Sequence, residues 1–349
     1  MEMHFIMTKT DTAWMKRPPV ACGVFLTRKC NISCDYCRLI KRRTLRELTA
    51  KEWKKAFDVL QTIGIKSAKI LGGEPTIVPG IEEIVNHINK KTNIDFSIIS
   101  NSIVKKEKMR RIIRSGLRRY TTSIDTIAGL APNEGSKSKS RAAFEMLRWL
   151  RKCGVPFLMV NLVLNRNNID EIEAMVRYFS SQEIWVHIIP LHWGEEEFWE
   201  NRSYETLTKI TADDLPRIRQ LSNDLVSMKR KGYLIANSFQ YIADWPKYIV
   251  HLDWHCGKVP SMLRIDADGS VMCCNDIRGN VSDKYSVFDL PNETAYEEFQ
   301  KEWCNDSKRC PGCLWPDLYQ SELNRKLGIQ EFEYSQNGEC NVGTHDRKQ

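Results

Sequence analysis

Three cysteines stand close together near the start of the chain, at Cys30, Cys34 and Cys37, with the spacing C-x3-C-x2-C. Structural zinc sites usually combine C-x2-C pairs with a fourth Cys or His, which this lone trio does not supply. Buried core cysteines would follow the period of a strand or a helix, and these follow neither. An iron-sulfur cluster held by three thiolates leaves one iron open, and chemistry can occur at that position. The spacing therefore favours a cluster over zinc or core cysteines.

A second group of cysteines lies in the last third of the chain, within "CGKVPSMLRIDADGSVMCC" and "CPGC". Four thiolates in this order could bind zinc or an iron-sulfur cluster, and the spacing alone does not separate the two. The predicted ligands are Cys256, Cys274, Cys310 and Cys313. Three nearby cysteines could replace one of them: Cys273, Cys304 and Cys340. Cys22 and Cys153 are interpreted as a core residue and a helix-end residue.

The elements that must position these cysteines alternate between short apolar runs and longer amphipathic segments. The predicted strands are "ACGVFLT", "SAKILG", "DFSIIS", "YTTSID", "FLMVNLVL" and "IWVHIIPLH". The first helix has a capping box, Thr49 with Glu52, and a stop at Gly64. Further helices are expected near 81–90, 104–115, 140–153 and 169–180. Six such units predict an α/β fold, a partial (β/α)6 TIM-like barrel.

The pattern changes after residue 195, and 349 residues are enough for about two domains. We expect the barrel at 1–205, a connecting helical segment at 206–255 and a small cysteine-rich, metal-bound domain at 256–349. The "DADGS" stretch in that last part predicts a hairpin turn.

Composition narrows the function classes. No apolar run approaches the ~20 residues that cross a bilayer, and the N-terminus lacks a signal-peptide pattern. We therefore expect a cytoplasmic protein without a membrane partner, in which twelve cysteines serve as metal ligands rather than disulfides. The net charge of +8 comes mainly from the segment after the first cysteines and from "KKEKMRRIIRSGLRR" at 105–119. These charges predict a solvated helix surface or attraction of an anion, and without a recognised binding module they do not favour nucleic acid.

Several segments together resemble the radical S-adenosylmethionine (SAM) enzymes, closest to those of molybdenum-cofactor synthesis. "CNISCDYC" is similar to their cysteine signature and "LGGEPT" to their Gly-Gly-Glu-Pro turn. "IISNS", "TTSIDT" and "VNLVLNRNNIDEI" are similar to later strand ends, and the likeness covers roughly residues 20–195. Ser102 stands where the family usually has a glycine, so the resemblance does not determine the detailed backbone path of the "IISNS" turn.

This resemblance implies that the first cysteines hold a 4Fe-4S cluster whose fourth iron is chelated by SAM. It also implies a set of SAM contacts, with Gly72, Gly73 and Glu74 receiving the methionine amino group. The other implied contacts are Tyr36, Asn101, Ser123, Asp125, Asn161 and Leu191.

The C-terminal pattern C-x12-G-x4-C followed by C-x2-C resembles the Twitch domain, the one-cluster relative of the SPASM domain. The likeness implies an auxiliary 4Fe-4S cluster, with zinc as the alternative.

The implied activity is that of an oxidoreductase: a 5′-deoxyadenosyl radical removes a hydrogen atom from a polar small molecule, sugar, cyclitol or nucleotide-like, leading to oxidation or rearrangement. A reducing partner such as flavodoxin or ferredoxin is expected. One alternative is a peptide-modifying maturase, for which a leader-binding domain would be expected ahead of the barrel. Another is a zinc or iron-sulfur protein that binds nucleic acid without radical chemistry.

Overall fold

A single mixed sheet forms the centre of the molecule in the computed structural model, which describes residues 19–34, 37, 46–124, 126, 138–192, 208–257, 262–272, 274, 284–308, 310 and 312–327. Its strand order is β6-β5-β4-β3-β2-β1-β7-β8. The strands are β1 Ala21–Phe25, β2 Ser67–Leu71, β3 Asp95–Ser100, β4 Arg119–Ser123, β5 Phe157–Leu164, β6 Trp185–Pro190, β7 Met262–Ile265 and β8 Val271–Met272. Neighbouring strands from β6 to β7 run parallel, and β8 is antiparallel to β7.

Helices follow the parallel strands, as the alternating pattern predicted. They are α1 Ala50–Thr62, α2 Ile81–Lys91, α3 Lys106–Arg114, α4 Ser138–Lys152, α5 Ile172–Ser181, α6 Leu215–Arg230, α7 Phe239–Ala243, α8 Trp245–Tyr248, α9 Glu293–Ser307 and α10 Pro316–Lys326. The six predicted strands and the predicted helices are confirmed, and so is the α/β partial barrel.

The start of α1 shows why the local sequence selects the helix. The Thr49 hydroxyl accepts from the Glu52 backbone N–H, and the Glu52 carboxylate accepts from the Thr49 N–H at 2.9 Å. Such caps stabilise a helix by about 1 kcal/mol. Gly64, with φ +99°, ends the segment in the left-handed region. The helix buries Trp53 and Phe57 against the sheet.

The predicted C-terminal domain shares this sheet with the barrel. Strand β7 lies beside β1 with Gly23 opposite Arg264, and the β7–β8 hairpin turns at Gly269, with φ +88°. The "DADGS" turn is thus confirmed. The division into three domains stays a prediction, but strand pairing crosses the proposed boundary.

The first residues of α10 form part of the inner wall of the barrel. Trp315 stacks on His192 just after β6, with ring centroids 4.1 Å apart, and the Leu314 N–H donates to His192 Nε2 at 2.9 Å. The Tyr241 hydroxyl donates to the Leu314 carbonyl at 2.7 Å. These contacts place Asp317 inside the barrel next to Lys69 of β2.

Within the described part of the chain, no helix combines the length and apolarity that crossing a bilayer requires.

Candidate active site

The first cysteine loop leaves the carboxyl end of β1 and is fixed at its start by Glu47. The Thr27 hydroxyl donates to Glu47 Oε1 at 2.9 Å, and the Arg28 N–H donates to the same oxygen at 2.8 Å. The Cys37 N–H donates to the Cys34 carbonyl at 3.0 Å, which closes a turn within the trio. All three cysteines are half-buried, so the loop lies at the surface of the barrel.

The Gly-Gly-Glu-Pro turn after β2 packs directly on this loop. The Gly73 N–H donates to the Thr27 carbonyl at 2.7 Å and the Glu74 N–H to the Lys29 carbonyl at 2.8 Å. A Cβ on Gly73 would lie 2.1 Å from the Lys29 oxygen, and one on Gly72 would lie 2.5 Å from the Thr27 oxygen. The glycines therefore permit close approach of this turn to the cysteine loop.

The Glu74 side chain is fully buried and joins the turns after β2 and β3. Its carboxylate accepts from Thr76 N at 3.0 Å, Thr76 Oγ1 at 2.5 Å, Ser100 Oγ at 2.9 Å and Asn101 N at 2.7 Å. Burial raises its pKa, although these donors act in the opposite direction. The predicted contact of Gly72, Gly73 and Glu74 with the methionine amino group stays a prediction.

Asn101 connects the turn after β3 to the first cysteine. Its Nδ2 lies 3.6 Å from Cys30 Sγ and 2.8 Å from Asn31 Oδ1, while its Oδ1 accepts from the Ile103 N–H at 2.8 Å. A donor beside a ligand sulfur adjusts the reduction potential of a cluster. This geometry places Asn101 beside the first cysteine, and its predicted contact with SAM stays a prediction.

Ser102 adopts a left-handed conformation with φ +67°, so the turn keeps the backbone path that glycine allows. Its buried hydroxyl lies 2.8 Å from both Tyr120 OH and Thr122 Oγ1. These two bonds offset the strain of a non-glycine residue at positive φ.

Three of the remaining predicted SAM contacts lie in or directly after β4, β5 and β6. Ser123, at the end of β4, pairs in register with Asn161 of β5, and Leu191 directly follows β6. Asn161 Oδ1 lies 3.2 Å from His187 Nδ1. Tyr36 and Asp125 lie outside the described residues. The assignment of these residues to SAM stays a prediction.

A cavity of about 220 Å³ occupies the interior of the barrel and reaches Cys37. Its charged or titratable lining residues come from three strands and α10: Lys69, His187, Arg264 and Asp317. Lys69 forms an ion pair with Asp317, and His187 Nε2 lies 4.0 Å from Asp317 Oδ1. The sequence patterns did not predict this group, although a lysine in "SAKILG" and an arginine in "MLRI" interrupt apolar strands.

The charge of this group follows from its surroundings. Burial and the nearby Lys69 lower the pKa of His187 to about 4, so this ring is neutral at pH 7. Burial acts to raise the pKa of Asp317, but Lys69 and the other cations outweigh it and lower that pKa to about 2. Two cations, Lys69 and Arg264, and one carboxylate give the cavity one net positive charge.

Gly23 makes room for the arginine in this cavity. A Cβ at position 23 would lie 2.9 Å from Arg264 Nη1. The fully buried Thr121 also lines the cavity, and its hydroxyl has no hydrogen-bond partner among the described residues. The interior is therefore hollow where most barrels are filled by side-chain layers, and its mostly apolar lining carries a few polar and charged side chains.

Three of the four predicted C-terminal ligands lie near residues 252–256: Cys256 itself, Cys310 beside it and Cys313. The Cys313 N–H donates to the Trp254 carbonyl at 2.9 Å. Burial, followed by the neighbouring Cys310 and Glu322, raises the pKa of Cys256 to about 11. Cys274 and Cys304 are half-buried, and Cys273 and Cys340 lie outside the described residues.

Two contacts link the C-terminal hairpin to the first cysteine loop. Arg28 and Asp266 form an ion pair with exposures of 3% and 1%. Met272, two positions before Cys274, packs with Phe25 against Cys37. The two cysteine regions thus share a buried boundary.

Within the described residues, no three His, Cys, Asp or Glu side chains form a metal-ligand set, so both sets of cysteine ligands stay predictions. The first loop nevertheless fits a cluster, because its thiols are half-buried, Cys30 lies beside the Asn101 amide and Cys37 lines the cavity. Cys22 is fully buried, and burial raises its pKa to about 12, whereas Cys153 is exposed after α4.

Comparison with known proteins agrees with this geometry. The family model of the radical SAM superfamily matches residues 24–179. GTP 3′,8-cyclase of Aquifex aeolicus is 24% identical over 90% of this chain and 94% of its own. The probable GTP 3′,8-cyclase of Pyrococcus horikoshii is 30% identical over 74% of this chain and 84% of its own. PqqA peptide cyclase of Bradyrhizobium diazoefficiens is 29% identical over 46% of this chain and 43% of its own.

Solved structures show the same fold. SuiB of Streptococcus suis bound to S-adenosylmethionine superposes with a TM-score of 0.61 at 15% identity, over 93% of this chain and 77% of that one. The cysteine loop at the end of β1, the glycine turn packed on it and these relatives agree, and the chain belongs to the radical SAM superfamily.

Proposed function

We propose that this radical SAM enzyme removes a hydrogen atom from a small polar substrate that carries a negatively charged group and lies in the barrel cavity. The observation that supports this proposal most directly is the cationic interior next to Cys37. When a reduced 4Fe-4S cluster and SAM are bound, they supply a 5′-deoxyadenosyl radical.

In this proposal Cys30, Cys34 and Cys37 hold the cluster, and the surrounding turns fix the loop. Glu47 anchors its first residues, and Gly72 and Gly73 allow the next turn to pack against it. The predicted SAM contacts lie on the turns and strand ends that follow.

Lys69 and Arg264 orient a phosphate or carboxylate, since a charge-assisted hydrogen bond in a low-dielectric cavity is stronger than in water. The Thr121 hydroxyl offers a further polar contact. Trp315, the N-cap of α10, and Asp317 in its first turn cover the interior and help exclude water and competing hydrogen donors.

Peptide modification is the second candidate, because one relative is a peptide cyclase and SuiB has been solved with a precursor peptide. The small-molecule proposal is preferred for two reasons. The GTP 3′,8-cyclase match extends over 90% of this chain, against 46% for the peptide cyclase. The cavity of about 220 Å³ also suits a compact substrate.

The test is anaerobic incubation of reconstituted protein with SAM, dithionite and a metabolite extract. We expect 5′-deoxyadenosine release that rises with an anionic fraction of the extract. A variant with Ala at Cys30, Cys34 and Cys37 should lose this release, and Cys153→Ala, an exposed position, should keep it. Undiminished release by the triple variant would reject the assignment, and stimulation only by peptides would favour the second candidate.

We also propose that Cys256, Cys274, Cys310 and Cys313 bind an auxiliary 4Fe-4S cluster that accepts an electron from the substrate radical. Its support is the Twitch-like spacing and the approach of Cys256 to Cys310 and of Cys313 to Trp254. Metal analysis should give about eight irons per chain. About four irons with one zinc would make the site structural.

A further inference from the structure

A mixed basic and apolar patch lies beside the first cysteine loop. It consists of Ile103, Lys105, Lys106 and Arg110, at the start of α3, and is called the Ile103 patch below. Ile103 is 36% exposed, and the three cations are exposed around it. The basic segment at 105–119 was noted in the sequence, and the proposed function does not use it.

Hydrogen bonds connect this patch to the cysteine loop in two ways. Asn31 Nδ2 donates to the Ile103 carbonyl at 2.7 Å. The Ile103 N–H donates to Asn101 Oδ1, and Asn101 Nδ2 lies 3.6 Å from Cys30 Sγ. One side chain, that of Asn101, thus separates the exposed patch from a predicted cluster ligand.

The cations in the patch are not explained by helix stability. The positive end of the helix dipole disfavours cations in the first turn by about 0.3–1 kcal/mol each. Lys105 is nevertheless the N-cap of α3, makes no capping bond, and is followed by Lys106. Every other N-cap described for the helices is Thr, Gly, Glu, Asp, Ser, Asn or Trp.

The two lysines also lack carboxylate partners within the described residues. Lys106 Nζ lies 5.9 Å from the Trp149 ring centroid. Arg110 lies over the same ring, 5.5 Å from its centroid, and its contact with Glu107 is long, at 3.8 Å. By contrast, Arg111 on another side of the helix pairs with Glu82 at 3.0 Å. The patch therefore keeps its positive charge available to a partner.

From these observations we infer that the Ile103 patch docks an acidic one-electron carrier protein that reduces the cluster of the Cys30–Cys37 loop. An apolar centre within a charged rim is the usual anatomy of a protein interface, and opposite charge accelerates encounter. The carrier loses one electron and the cluster gains it, and no bond is made or broken. The inference rests on the proposed assignment of these cysteines as cluster ligands.

The experiment compares two double variants that change the net charge equally. Lys105→Glu with Lys106→Glu alters the patch. Lys90→Glu with Lys91→Glu alters the exposed last turn of α2, which ends at the opposite edge of the sheet. Reduced bacterial flavodoxin is the protein probe, dithionite is the small reductant, and cluster bleaching is followed anaerobically in a stopped-flow instrument, with or without SAM.

We expect the patch variant to slow reduction by flavodoxin at least about tenfold at low salt and to flatten its dependence on ionic strength. The α2 variant should stay within about twofold of the parent. Dithionite should reduce all three proteins at the same rate. Ile103→Ser should weaken flavodoxin binding with little change in salt dependence.

Three results would overturn the inference. Unchanged reduction of the patch variant by flavodoxin would exclude docking there. Equal slowing with dithionite would show damage to the cysteine loop. Salt-dependent binding of single-stranded RNA that the patch variant loses, with flavodoxin reduction intact, would assign the patch to nucleic acid. Because bleaching does not require SAM cleavage, failure of the proposed enzymatic activity would be seen separately.

Discussion

At the scale of single residues, Ser102 shows how the hydrogen bonds of a polar side chain stabilise a backbone conformation that its own Cβ disfavours. Its φ of +67° costs about 1–3 kcal/mol for a non-glycine residue. The buried bonds to Tyr120 and Thr122 offset this cost.

We predict that Ser102→Ala destabilises the apo protein by about 1–3 kcal/mol, because the strain remains and two buried hydroxyls lose a partner. Ser102→Gly loses the same partner but removes the strain, so it should be the milder change. Urea unfolding of both variants tests this order. Equal stability of Ser102→Ala and the parent would contradict it.

Asp317 carries a pH dependence whose sign is fixed by its lowered pKa. The folded carboxyl stays charged down to about pH 2, whereas its ordinary pKa is 3.8, so the unfolded state binds more protons between these values. The stabilisation of about 2 kcal/mol is thus present above pH 4 and lost as pH falls to 2.

Asp317→Asn should therefore lower the free energy of unfolding at pH 7. It should also remove the part of the acid-induced loss of stability that protonation of Asp317 causes. Thermal unfolding of the parent and the variant between pH 2 and pH 7 measures the effect, with Asp213→Asn at an exposed position as control. If the stability difference between the parent and Asp317→Asn stayed constant from pH 2 to pH 7, it would contradict the lowered pKa of Asp317.

The residues that carry the family signature could be predicted from sequence, because the Cys30–Cys37 spacing and the glycine turn are local. The Lys69–Asp317 and Arg28–Asp266 pairs could not, since 248 and 238 positions separate their members. The hydrogen bonds of the Glu74 carboxylate could not be predicted either, because its partners come from two turns.

At the scale of elements, the contact between the glycine turn and the cysteine loop is the clearest dependence of one segment on another. The turn donates two backbone hydrogen bonds to the loop, to the Thr27 and Lys29 carbonyls. The strands and helices were predictable from their periodicity and caps. The packing of the turn on the loop could not be predicted from either segment alone, because it depends on β1 and β2 lying side by side.

We predict that Gly73→Ala separates the turn from the loop, because the new Cβ would lie 2.1 Å from the Lys29 oxygen. Iron retained after reconstitution and SAM-dependent release of 5′-deoxyadenosine should both fall at least about tenfold. Gly154→Ala is the control, since its Cβ would meet no atom within 4 Å and only backbone strain at φ +80° acts. Full iron content in Gly73→Ala would contradict the prediction.

At the scale of the whole molecule, the C-terminal third completes the barrel. It supplies β7 beside β1, Asp266 to the buried Arg28 and Asp317 to Lys69. The cysteine count predicted a separate metal-bound unit, but a strand that pairs across 241 positions, Ala21 with Met262, leaves no local signal in the sequence.

We therefore predict that a chain ending at residue 255 does not form a stable monomer. It would leave one edge of β1 unpaired and bury Arg28 without its carboxylate, which costs about 3–5 kcal/mol. Circular dichroism and size-exclusion chromatography of the truncated and full chains test this. A monomeric, cooperatively unfolding fragment would contradict it.

The pairing of β1 with β7 also sets an order of events during synthesis. The thiols of the first loop leave the ribosome early, but the strand that flanks β1 follows 241 positions later. At about 5–20 residues per second, the loop stays beside an open strand edge for roughly ten to fifty seconds. Pairing of β1 with β7 is therefore a late event in synthesis, and the first cysteine loop gains this flank only when most of the chain has been made.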